Sequence, residues 1–139
     1  MKIIIAMTVL VGLSACGVMT VSTDELRPGA FGGITLETKA NKVTYEQVWR
    51  AAISAMGSGM TIVESHKPSG TIKSRVGSAP SGKVVAIFIT PTDAHAPQYK
   101  VQVISKTPRG FNSPSDGRMW EPSVVRDFEA ALSQKQANP

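Results

Sequence analysis

Apolar and polar positions change their spacing in blocks along this chain of 139 residues, and each block predicts an element. An apolar run from Ile3 to Gly12 follows the single charge of Lys2. As a helix, ten such residues span roughly 15 Å, about half of a bilayer core. The run is therefore too short for a membrane span and has the proportions of a secretory signal. Residues 17–42 lack periodicity and carry Pro28-Gly29-Ala30 and Gly32-Gly33, a composition that predicts a flexible tether. Within it, Ile34-Thr35-Leu36-Glu37 alternates as a short strand does.

Helical spacing begins after residue 43. Thr44 and Gln47 are placed as a capping box, and Tyr45, Val48, Trp49, Ala52, Ile53 and Met56 recur on one helical face. Gly57 is expected to end this helix in a left-handed conformation. From Met60 the period falls to two. Met60–Glu64 and Thr71–Val76 read as strands joined by a turn at Pro68-Ser69-Gly70, followed by strands at Lys83–Thr90 and Tyr99–Lys106. The third of these four strands is apolar on both sides. A second helix is expected from Pro122 as first helical residue, with Val124, Val125, Phe128, Ala131 and Leu132 inward and Trp120 stapling onto Val125. Helix, four strands, helix predicts an α+β domain: an antiparallel sheet of about four strands with two helices packed on one face.

Leu13-Ser14-Ala15-Cys16, directly after the apolar run, resembles the lipobox of bacterial lipoproteins. The resemblance implies cleavage after residue 15 and transfer of diacylglycerol to the Cys16 thiol, with palmitate-type chains as the membrane anchor. Each buried methylene adds about 0.8 kcal/mol of membrane affinity. Cys16 is the only cysteine, so no intramolecular disulfide forms, and acylation removes a thiol that oxidation would otherwise attack. Gly17 follows it, whereas Asp at that place marks inner-membrane retention in the family. The resemblance thus implies the outer membrane, with the domain facing the periplasm. The expected organisation is a signal peptide at 1–15, the lipidated Cys and tether at 16–42, and a periplasmic domain at 43–139. The element order across residues 43–134 also resembles the helix-grip domains of small periplasmic lipoproteins.

Composition narrows the chemistry. The chain is 42% hydrophobic but only 6% aromatic, so the core is expected to rest on aliphatic side chains. Gly77-Ser78-Ala79-Pro80-Ser81-Gly82-Lys83 matches most of a P-loop, but Val84 stands where the Mg²⁺-binding hydroxyl belongs and a strand follows where a helix N-terminus is needed. Asp93 and His95 offer two ligands, His66 is the only other histidine, and a closed zinc site takes four. No Gly-x-Ser-x-Gly elbow occurs. Neither catalysis, metal nor cofactor is expected.

The formal net charge of +5 is concentrated. Between Lys67 and Arg118 stand eight Lys or Arg against Asp93 and Asp116 alone. Strand parity puts Lys73 and Arg75 opposite Ile72, and Lys100 and Lys106 opposite Val101 and Val103. These four define a basic sheet face and are the candidate partner-binding residues. The doubly apolar third strand adds a stripe, joined by Ile104, between the basic flanks. Such a stripe either receives a partner or is covered by the N-terminal segment. Nucleic acid fits the charge but not an exported protein. The leading expectation is an accessory or structural envelope lipoprotein that binds protein or anionic envelope material through this face or the loop from Arg109 to Trp120. The alternative is a module that binds a small ligand between helices and sheet.

Cys16→Ser is expected to abolish acylation and leave unprocessed precursor. Labelling with an alkyne fatty acid checks this, and undiminished label on the variant would refute the lipobox assignment.

Overall fold

The computed structural model describes residues 21–38, 43–77, 82–92, 98–107 and 120–136. Cys16 and the signal region, Asp93 and His95, most of the P-loop-like segment and the loop after Arg109 lie outside the described residues. Among those described, five strands form one antiparallel sheet: β1 (Ile34–Glu37), β2 (Thr61–His66), β3 (Thr71–Arg75), β4 (Val84–Pro91) and β5 (Tyr99–Lys106). Their order is β1-β5-β4-β3-β2. The predicted α+β class holds, and the count rises from four strands to five because the short β1 joins the edge of β5.

Two helices, α1 (Tyr45–Met56) and α2 (Trp120–Gln136), cover one face. At α1 the capping box forms as predicted: Thr44 Oγ1 accepts from the Gln47 N–H at 3.2 Å, and Gln47 Oε1 accepts from the Thr44 N–H at 2.8 Å. Gly57, in contrast, ends α1 in right-handed conformation at φ −89°. The left-handed residue is Gly59 at φ 73°, and the Trp120 ring lies 3.5 Å from where its Cβ would be. The start of α2 also differs from expectation. Trp120 is its first residue and is buried, which moves Pro122 inward but keeps it in the first turn, where no intrahelical donor is lost.

The core follows from the two periodicities meeting. Val48, Trp49, Ala52, Ala55 and Met56 of α1 and Trp120, Val124 and Phe128 of α2 pack on Ile72, Val85, Ile87, Ile89, Val101 and Val103. Ser74 is fully buried on this face, and its hydroxyl donates to the Met56 carbonyl at 2.7 Å. That contact satisfies one of the carbonyls that the end of a helix leaves without an intrahelical partner.

At the far end of α1 the Tyr45 hydroxyl donates to the Lys67 carbonyl at 2.5 Å, tying the helix to the β2–β3 turn. Burial, and secondarily the neighbouring Tyr99, raise the Tyr45 phenol above its ordinary value. Beside it, Glu46 accepts from Lys67 and Arg50, and the hydrogen bond from Lys67 leads in lowering its carboxyl below the ordinary 4.5.

Trp49→Ala removes a large side chain from this layer and is expected to cost about 3–5 kcal/mol. Urea denaturation followed by circular dichroism measures the loss; a midpoint barely moved would place Trp49 outside the core.

Candidate functional site

The sheet face turned away from the helices is set by register. Arg75 pairs with Val84 and Val84 with Lys106; Lys73 pairs with Ala86 and Ala86 with Ile104; Phe88 pairs with Gln102 and Thr90 with Lys100. Since alternate residues of a strand share a side, Lys73, Arg75, Lys100 and Lys106 all lie on this outer face, around a stripe of Val84, Ala86, Phe88 and Ile104. The strand pairing places these four residues on the side that parity predicts.

Solvent does not reach most of that face. Residues 21–30 cross it as a strap, and Val21 and Leu26 are buried in one cluster with Val84, Ala86, Phe88 and Ile104. Fully burying a Val or Leu side chain contributes about 1.5–3 kcal/mol. The strap is shaped by a single 3₁₀ turn at Thr23–Glu25, with Ser22 as its cap. Of the two outcomes left open for the apolar stripe, coverage by the N-terminal segment is the one observed.

The basic side chains hold this strap. Lys73 is only 6% exposed, and its ammonium donates to the Thr23 carbonyl at 2.8 Å and faces the Glu64 carboxylate at 3.4 Å. Arg75 donates through one terminal nitrogen to the Val21 carbonyl at 3.1 Å and through the other to the Gly82 carbonyl at 3.1 Å. Lys106 pairs with Glu25. Farther along, Gln102 clamps the strap from both sides of its amide: its Oε1 accepts from the Gly29 N–H at 2.8 Å and its Nε2 donates to the Ala30 carbonyl at 2.9 Å. A buried ammonium is tolerable only when partnered, and Thr23 of the strap and Glu64 of β2 partner Lys73.

Two expectations are corrected here. Residues 21–38 are part of the fold and not a free tether, so the folded unit begins well before residue 43. Lys73 is not solvent-facing, and Arg75 and Lys106 are half-buried at the strap's margin; of the four, Lys100 alone is exposed. The strap was hard to find in sequence because its apolar anchors stand five apart, in neither helical nor strand period. The available signal was charge: Asp24 and Glu25 sit in the segment that has to cross a basic face.

The strap leaves one end of the face open. There Pro28, Gly29, Phe31, Phe88, Lys100 and Gln102 border a groove of about 530 Å³. Phe31 is 105% exposed, and periodicity did not mark it. Its position follows from the turn into β1: Gly33 has φ 76°, and a Cβ there would meet the Val103 carbonyl oxygen at 2.1 Å. Only glycine lets the chain leave the strap so close to β5. A second, smaller groove of about 360 Å³ lies beside Ser58, Gly59, Trp120 and Arg126. Neither lies between the helices and the sheet. Among the described residues, no group of His, Cys, Asp and Glu is placed to hold a metal ion, and no helix is long and apolar enough to cross a membrane. Compared with known protein families and with curated proteins, the chain matches none.

Leu26→Ala is expected to loosen the strap at a cost of about 2–3 kcal/mol, the low end for Leu truncation because a layer one segment thick can partly collapse. It should also raise binding of the dye ANS as Val84 and Phe88 are uncovered. Wild-type stability and dye binding in the variant would show that the strap is not held by its apolar anchors.

Proposed function

We propose that the chain is an accessory lipoprotein of the bacterial envelope, acylated at Cys16, held at the outer membrane on its periplasmic side, and recruiting an envelope protein through the patch around Phe31 and Lys100. The single observation that carries the recruiting role is Phe31. A wholly exposed aromatic ring on a turn fixed by Gly33, beside an exposed ammonium, matches what protein interfaces use as an anchor. The partner that fits offers an apolar pocket for the ring and a carboxylate for Lys100.

The other three basic residues proposed from sequence serve the strap, which moves the recognition surface to the end of the face that the strap leaves uncovered. The groove's volume falls within the roughly 300–1,000 Å³ of small-molecule sites, which keeps ligand capture as a second reading. Its place on an outer sheet face, and not in an enclosed layer, favours the macromolecular partner.

Phe31→Ser combined with Lys100→Glu is expected to abolish capture of the partner in envelope crosslinking while leaving the denaturation midpoint unchanged, since exposed substitutions usually shift stability within about 0.5 kcal/mol. Lys73→Glu is expected to lower the midpoint instead, by burying a carboxylate beside Glu64. Crosslinked products identical in yield between wild type and the double variant would refute the assignment to this patch. Capture that survives the double variant but disappears in high salt would point to anionic envelope material held by diffuse charge.

A further inference from the structure

The start of the strap determines which end of the domain a lipid anchor would hold. Val21 is fixed by its carbonyl on Arg75, and Arg75, Val84 and Lys106 stand in one row across the sheet. Lys83 is at the same end, its carbonyl accepting from the Val76 N–H at 2.8 Å. The Phe31 groove lies toward the opposite end, where Thr90 pairs with Lys100. Six residue steps of β4 separate these two rows, which is about 20 Å at strand rise.

Five residue steps separate Cys16 from Val21. Fully extended, they reach at most about 18 Å. Turning the domain end over end would put the length of β4, about 20 Å, between the bilayer and the row that holds Val21, at the limit of that reach.

We propose, resting on the reading that Cys16 is acylated, that the strap seats the domain on the bilayer in one orientation. The end carrying Arg75, Lys83, Val84 and Lys106 lies against the phospholipid headgroups, and the Phe31–Lys100 groove points away from the membrane. The occupant of that end is the headgroup layer itself. Arg75 is engaged with backbone carbonyls and Lys106 with Glu25, so the short leash, more than surface charge, does the holding. An unstrapped segment would act differently: from Cys16 to Val43 it would let the domain tumble at a distance.

The test uses the full-length acylated protein in vesicles of phosphatidylethanolamine and phosphatidylglycerol that include headgroup nitroxide lipid. Acylation consumes the only native cysteine thiol, so single cysteines placed by Thr107→Cys or Thr90→Cys, both at exposed positions, each take one fluorophore. The label at 107 is expected to lose most of its emission and the label at 90 to keep most of it. Equal quenching at both positions, or the reverse order, overturns the orientation. Fatty-acid labelling of the same samples separates the two ideas: unlabelled protein overturns the lipoprotein reading and the orientation together, whereas labelled protein with equal quenching overturns the orientation alone. Inserting about twenty Gly and Ser residues, a flexible coil, between Gly17 and Val18 is expected to equalise the two labels. A difference that persists would overturn the leash as its cause.

Discussion

A strand that is apolar on both sides has to be covered on both sides, and β4 imposes that requirement on everything around it. Val85, Ile87 and Ile89 face the helices, while Val84, Ala86 and Phe88 face the opposite way. An antiparallel sheet with helices on one face ordinarily leaves the other to water, with polar residues there. Here the alternation fails at the central strand, and a two-layer domain would expose a continuous apolar stripe of the kind that sticks to other surfaces. The strap of residues 21–30 supplies the missing layer with the least chain: one 3₁₀ turn, two apolar anchors and a series of carbonyls.

The polar chemistry of the outer face follows from that geometry. A strap without regular structure brings backbone carbonyls that no ladder satisfies, and long cationic side chains are suited to reach them from a strand below. Lys73 and Arg75 act this way, each donating to a carbonyl of the strap. Gln102 does the same work without charge and also accepts from a strap N–H. The concentration of Lys and Arg in the sheet therefore has a structural use. Where the strap turns away to form β1, an ammonium and an aromatic ring stand in the open, at Lys100 and Phe31. The same turn separates the portion of the face that the strap covers from the portion that it leaves open, and it places the start of the strap at the other end of the sheet.

Much of this was readable in the amino-acid order. The capping box at Thr44 and Gln47, the apolar face of α1, the alternation of the strands and the double apolarity of β4 are local patterns, set by 3.6-residue and two-residue repeats, and the α+β class follows from their order. The side of the sheet on which Lys73, Arg75, Lys100 and Lys106 stand was also legible in the sequence, because alternate residues of an extended strand share a side. The tertiary structure alone decided what covers that side. Val21 and Leu26 meet Val84 and Phe88 across some sixty residues of chain, and Lys73 reaches a carbonyl of Thr23 fifty positions away. No local period encodes such contacts. They arise because burial and hydrogen-bond satisfaction are settled over the whole folded chain: the nearest segment able to hide the stripe and offer carbonyls to the cations takes the place.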